Sequence, residues 1–439
     1  MLLTGTVVQD AGSVIEDGGV VTEGATIAAV GDAAELRERY PDHECRSFDI
    51  VAPGFVQTHV HSVQSPGRGV ADDTDLFEWL FDYILPIEAE MTAEELEVAS
   101  TLSYLELLEN GTTCCLDHLT VAHADRAFEA AGDVGIRGAL GKVLMDRESP
   151  EGLLEDTEEG LAESERLLRE YHRSFDDRIR YAVTPRFTPT CTEACLRGSR
   201  DLADREENVL VHTHASEHES VVESVTEERG MRDIHWLDEV GLTGEDVVLA
   251  HVILTDESER EVLAETGTHV TYCPSSNMKI GAGIAPIPDY LDRDINVALG
   301  NDGAPVNNTL DPIAETRQAT LLQKIEHRDP RALPAETVFE MATVSGARAI
   351  GFDRVGKLRE GWTADVIGLD AERSRTIPLH DAYSHLVYAA RGDDVRLTMV
   401  DGEVLVEDGE AVSVDADAVH RRARELLPSL AERAHRKHG

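Results

Sequence analysis

Eight short apolar runs punctuate the chain between residues 50 and 303, and each leads into a helical pattern. They are IVAPGFVQTH (50–59), GTTCCLDH (111–118), RGALGKVLMD (137–146), IRYAVTPRF (179–187), NVLVHTHASE (208–217), DVVLAHVI (246–253), THVTYCPSSN (268–277) and NVALGNDG (296–303). Intervening segments such as TAEELEVASTLSYLELLENG and DESEREVLAETG end in glycine, as helices tend to. Strands alternating with helices build a parallel sheet, because parallel neighbours need a crossover between them. Eight such units are the number that closes a (β/α)8 TIM barrel, whose functional groups stand at the C-terminal strand ends. A doubly wound open sheet is the structural alternative, but the chain has no glycine-rich dinucleotide fingerprint to support it.

The two chain ends read differently. LLTGTVVQ and SVIEDGGVVTEGATIAAVG near the start, and ADVIGLD and VRLTMVDGEVLVEDGEAV near the end, are short β-like runs separated by Gly-Asp and Asp-Gly turn signals. Neither piece alone makes a good core. The expected organisation is a composite β-sandwich of residues 1–52 and 364–415, a barrel over 53–363, and a C-terminal helix over 416–439.

The formal charge is −45, from 85 acidic against 40 basic residues, and only five of the basic residues are lysine. The acids are spread along the chain, which describes a solvated coat that screening by salt makes tolerable. No basic patch is present of the kind that nucleic acid needs. The basic stretch HRRARELLPSLAERAHRKHG reads as the solvated face of an amphipathic helix. The N-terminus MLLTGTVVQD is unlike a signal peptide, and no window approaches the ~18 apolar residues of a membrane span. The six cysteines include no CxxC pair and read as reduced thiols. Together these features predict a salt-adapted cytoplasmic protein with neither a nucleic acid nor a membrane as partner.

The chemistry is concentrated at strand ends. His59 and His61 close the first run, and strand alternation points both the same way. His214 and Glu217 close the fifth, His251 the sixth and Asp302 the eighth. One strand-end histidine is more often a satisfied polar residue, but four strand ends carrying ligand-type side chains converge on a metal. Neutral imidazoles with one carboxylate suit zinc, with ferrous iron as the alternative. An open coordination position on such an ion lowers the pKa of water toward ~7. Asp302 can both ligate and take the water's proton. Glu217 is placed to shuttle it to a substrate ring nitrogen, and His251 can orient the attacking oxygen.

This pattern is similar to the amidohydrolase superfamily, and within it to the mononuclear deaminases with H-x-H, H-x-x-E, H and D at the ends of strands one, five, six and eight. The resemblance covers nearly the whole chain. It implies that His59, His61, His214 and Asp302 hold one metal ion, and that Glu217, His251 and Asp302 are catalytic. Binuclear members bridge two metals through a strand-four lysine, and RIRYAVTPRF contains none. Members commonly form dimers or larger homo-oligomers, so the resemblance implies a homo-oligomer here.

Two neighbouring groups are resembled most: guanine deaminases, and the S-adenosylhomocysteine, methylthioadenosine and 5′-deoxyadenosine deaminases. LFEWLFDYILPIEAE is like both; in the adenosine group the residue matching Trp79 stacks on the purine and that matching Glu88 grips ribose hydroxyls. PSSNMKIGAGIAPIPDYL looks adenosine-type, whereas Gln64 and VTPRFTPTC, with Arg186 and Phe187, look guanine-type. Plainer readings stand beside these: a core aromatic for Trp79, a helix-terminal acid for Glu88, an ion pair with a neighbouring acid for Arg186. Asn277, Asn307 and Asn308 are expected to fix loops by side-chain-to-backbone bonds. The expected activity is hydrolytic deamination of an aminopurine base or nucleoside. Alternatives are an s-triazine hydrolase and a catalytically silent binding protein on the same scaffold.

The charge generates a first prediction. Dense like charges still repel across a screening length of ~8 Å. Melting temperature should therefore climb between dilute buffer and molar potassium chloride; an unchanged value would contradict a salt-adapted surface.

Overall fold

A computed structural model describes residues 1–438. All eight apolar runs contribute barrel strands: Phe55–His61, Thr112–His118, Arg137–Gly141, Ile179–Pro185, Leu210–Ala215, Val247–His251, His269–Tyr272 and Val297–Leu299. Each pairs in parallel with the next. The ring closes where Asp302 and Gly303 pair with Val60 and His61. The Thr58 hydroxyl also donates to the Leu299 carbonyl at 3.1 Å. The result is a (β/α)8 barrel, and it brings the ends of strands eight and one side by side.

Both chain termini build one further sheet of eight strands, ordered 410–411, 403–407, 395–400, 366–369, 45–53, 2–10, 13–23 and 26–32. Its far edge curls back, with the Ile27 N–H donating to the Trp362 carbonyl and the Gly361 N–H to the Ile27 carbonyl, both at 2.8 Å. Leu3, Val7, Val20, Val51, Val366, Leu397 and Met399 fill the space so enclosed.

The run that reads as one strand over 50–59 is divided between the two sheets. Cys45–Pro53 belongs to the terminal sheet and Phe55–His61 to the barrel. Gly54 is the joint: a Cβ there would lie 2.1 Å from the Thr113 hydroxyl. Both halves are buried, so no change of hydropathy marks the seam. The helices obey their sequence signals more simply. Ala93–Glu109 and Glu257–Thr266 each begin with a capping box, Thr92 with Glu95 and Asp256 with Glu259.

The terminal basic stretch forms two helices, Ala416–Leu426 and Pro428–His438. The second begins at a proline, which tolerates a first helical position because it has no N–H to leave unpaired. Its basic face is partly internal counter-charge: Arg433 donates to Glu95 at 2.8 Å and Lys437 to Glu90 at 2.6 Å. Among the described residues no helix is long and apolar enough to cross a membrane, and all six cysteines are free thiols.

The terminal sheet is joined to the base of the barrel by a buried ion cluster. Arg137 opens the third strand and grips Asp365 with two bonds, of 2.8 and 3.1 Å, and Asp401 with a third of 2.5 Å. Removing one partner of such a cluster leaves an uncompensated buried charge, at a cost of about 3–5 kcal/mol. Arg137→Ala should lower unfolding free energy by that amount in a urea titration. A loss below about 1 kcal/mol, the range of an exposed pair, would show that the cluster is solvated.

Candidate active site

The strand ends gather six imidazoles, and the hydrogen bonds of five of them decide which nitrogen faces the centre. A carbonyl oxygen can only accept, so a ring nitrogen bonded to one must carry hydrogen. His61 Nδ1 donates to the His118 carbonyl and His214 Nδ1 to the Arg186 carbonyl, both at 2.7 Å. His212 Nδ1 donates to the Val248 carbonyl at 2.8 Å, which leaves its Nε2 to accept from His59 Nδ1 at 2.7 Å. His251 Nδ1 donates to Asn277 Oδ1 at 3.0 Å. His59, His61, His214 and His251 therefore all present Nε2 lone pairs to one region.

Those lone pairs have no hydrogen to share. His61 Nε2 and His214 Nε2 lie 3.2 Å apart, and Asp302 Oδ1 is 3.5 Å from His59 Nε2 and 3.4 Å from His61 Nε2. Four ligands at ~2.1 Å around a tetrahedral ion stand roughly 3.4 Å from one another. His59 Nε2 and His251 Nε2 are buried with no hydrogen-bond partner. His59, His61 and His214 form one group able to hold an ion, and His59, His251 and Asp302 an overlapping second. The donor set fits a divalent metal.

The electrostatics agree with these roles. Burial, first of all, pushes the pKa of His59, His61 and His214 down, which keeps them neutral and able to ligate. Burial pushes the Asp302 carboxyl up, and positive charge on His59, His251 and His61 holds it well below the usual carboxylate range; with those imidazoles neutral, a bound cation would take the place of that charge. Burial also raises Glu217, and His251 only partly offsets it. One carboxyl is thus kept ionised and the other disposed to hold a proton.

The backbone is strained where these residues emerge. Ser216, His251, Val252 and Asp302 take left-handed φ values of 47°, 73°, 45° and 61°. Each such residue costs of order 1–3 kcal/mol and persists only where its surroundings hold it. The Val252 N–H donates to the Ala215 carbonyl and the Ile253 N–H to the Ser216 carbonyl, each at 3.0 Å, binding strand six to strand five. At Gly300 a Cβ would lie 2.9 Å from the His59 carbonyl oxygen, so a bare backbone is what lets strand eight approach strand one.

A cavity of about 310 Å³, counting its open mouth, covers the centre and is lined by His61, Leu76, Trp79, Leu80, Arg186, Phe187, His214, Glu217, His251 and Asp302. Trp79, Arg186 and Phe187 thus reach the cavity, whereas Gln64 and Glu88 lie outside its lining. Gln64 Nε2 donates to Glu88 Oε1 at 2.8 Å, and Arg186 Nη1 is 3.5 Å from the same oxygen. Asn277 bonds a side chain rather than backbone, orienting His251. Asn307 Nδ2 donates to the Asn301 carbonyl at 2.8 Å, and Asn308 Oδ1 accepts from Lys279 at 2.5 Å.

Sequence reasoning passed over His212 and His118. His212 stands two residues before His214 in VHTH, the same alternation that singles out His59 and His61. His118 closes the second strand, fully buried with neither ring nitrogen bonded.

Comparison with known proteins finds related sequences and structures. A profile described as the amidohydrolase family matches residues 50–405, and one described as an imidazolonepropionase-like composite domain of bacteria matches 18–42. The 5-methylthioadenosine/S-adenosylhomocysteine deaminase of Syntrophobacter fumaroxidans is 38% identical over 92% of this chain and 91% of its own length. The 5′-deoxyadenosine deaminase of Methanothermobacter thermautotrophicus is 40% identical over 82% of this chain and 83% of its own. An adenosine deaminase from Xanthomonas campestris, solved with bound zinc, superposes with a TM-score of 0.92 at 31% identity, over 99% of this chain and 98% of that one. The chain belongs to the amidohydrolase family, as a hydrolase of carbon–nitrogen bonds other than peptide bonds.

Proposed function

We propose that this site removes the amino group of an aminopurine by hydrolysis, and that adenosine-type nucleosides altered at the 5′ position are its main substrates. What carries the reading is the meeting of the Nε2 lone pairs and Asp302 with Glu217 in one cavity. Relatives named for 5-methylthioadenosine, S-adenosylhomocysteine and 5′-deoxyadenosine support the substrate class.

His59, His61, His214 and Asp302 would hold the ion, for which zinc suits the donor set best. Bound there, it supplies Lewis acidity that activates water and polarises the reacting carbon. Asp302, kept ionised, accepts a proton from the attacking water. His251 Nε2, 3.6 Å from Glu217 and 3.8 Å from Asp302, accepts a hydrogen bond from that water and orients it. As the new C–O bond forms, the ring C=N electron pair moves to nitrogen, which takes the proton of Glu217. Collapse then forms the carbonyl and breaks the C–N bond. Ammonia leaves with protons returned through the two carboxyls, and the atoms balance as substrate plus water. Trp79 and Phe187 would flank the flat ring. Gln64 and Glu88 support Arg186 from behind.

Guanine is the second reading, favoured by one observation: Arg186, a donor only, lies in the cavity wall and can serve a ring carbonyl. Ammonia release should be measured on 5′-deoxyadenosine, 5′-methylthioadenosine, S-adenosylhomocysteine, adenosine, guanine and a chloro-s-triazine. Turnover of the 5′-altered nucleosides well above guanine is the expected result. Guanine alone would establish the second reading, and the triazine alone would overturn both.

Glu217→Gln keeps the shape of the side chain and removes its acid. It should retain the wild-type metal content and lose roughly 10²–10⁴-fold in kcat. A kcat near wild type would remove Glu217 from the proton path.

A further inference from the structure

Arg186 supplies the guanidinium in the cavity lining, and its backbone carbonyl is held by three donors. Its carbonyl accepts from His214 Nδ1 at 2.7 Å, from the His214 N–H at 3.1 Å and from the Thr213 hydroxyl at 3.0 Å. What remains to be set is the direction of the side chain. Its Nη1 is buried, has no hydrogen-bond partner, and faces Glu88 Oε1 at 3.5 Å, beyond a good bond. The guanidinium is thus steered from its buried side by a carboxylate.

That carboxylate is fixed at its other oxygen. The Thr120 hydroxyl donates to Glu88 Oε2 at 2.7 Å, and Glu88 Oε1 is held by Gln64 Nε2 at 2.8 Å. Thr120 is 1% exposed and Glu88 3%, so no solvent competes. Thr120 is itself rigid, because the Val143 N–H donates to its carbonyl and the preceding Leu119 N–H donates to that of Gly141, each at 3.1 Å. One buried carboxylate therefore ties together the segments that follow strands one, two and four, through Gln64, Thr120 and Arg186.

We propose that Thr120 is a positioning residue for substrate binding: its hydroxyl orients the Glu88 carboxylate, which sets the direction of the Arg186 guanidinium in the cavity wall and so its approach to an acceptor atom of the purine ring. Without the hydroxyl, Glu88 Oε2 is a buried acceptor with no donor. The carboxylate turns to recover one, and Arg186 follows it. The inference rests on the aminopurine reading, so wild-type turnover of the best substrate is established first; if no aminopurine is turned over, that reading fails by itself.

The test is a pair of variants and a cycle. Thr120→Val preserves shape and removes the donor, and Thr120→Ser keeps the donor. Thr120→Val should lower kcat/KM roughly tenfold, mostly through KM, as expected for a lost bond to a charged group. Thr120→Ser should stay within about twofold of wild type. In an Arg186→Met background, adding Thr120→Val should cost nothing further, since a residue acting only through Arg186 has nothing left to act on. Thr120→Ala replaces Thr120→Val in the same cycle if the latter does not fold. Wild-type KM in the donor-less variant, equal damage from Thr120→Ser, or full additivity with Arg186→Met would each overturn the proposal.

Discussion

The site depends on where hydrogens sit on imidazole rings. A buried histidine beside a backbone carbonyl has one tautomer open to it, because the carbonyl accepts and never donates. His61 and His214 meet carbonyls directly, and His59 meets one through His212. Those carbonyls, of His118 and Arg186 at strand ends and of Val248 within strand six, have positions that the parallel ladder dictates. The barrel thus converts strand pairing into the direction of lone pairs, and the geometry of the candidate ligands follows from register. Such outer contacts orient a metal's ligands as surely as the ligands hold the metal.

The cost of this arrangement is met elsewhere in the fold. Four strained left-handed residues and several unpaired buried nitrogens surround the centre. Each alone would favour local unfolding by a kcal/mol or more. They persist because the strand ends carrying them are tied to continuous ladders and to a core that fills the barrel and its helical shell. The terminal sheet supports the opposite end, where Arg137 and its two carboxylates fasten the third strand. Stability is concentrated away from the mouth and strain at the mouth, a division that lets a βα barrel carry chemistry on its loops.

Much of this was legible in the chain itself. Strand alternation alone places His59 and His61 on one face, and the spacing of eight apolar runs sets His214, His251 and Asp302 at the same end of a barrel. The same alternation marks His212, whose partner could not be known without strand order. The seam at Gly54 was hidden because residues 50–53 and 55–61, on either side of it, are buried alike. The bond between Gln64 and Glu88, 24 residues apart, depends on how the segment carrying Trp79 and Glu88 folds back over the mouth. No periodicity encodes that path. It also explains why Arg186 reads two ways in sequence, as a substrate donor or as an ion-pair partner: it lines the cavity and faces Glu88 at once.

The most direct measurement is the metal content of freshly purified protein, taken alongside that of His212→Leu. The convergence of Nε2 lone pairs predicts about one equivalent of a divalent ion per chain. It also predicts a 10–100-fold weaker affinity once His59 loses the acceptor that fixes its tautomer. Two tightly held equivalents, or a His212→Leu protein that binds metal as the wild type does, would contradict the account.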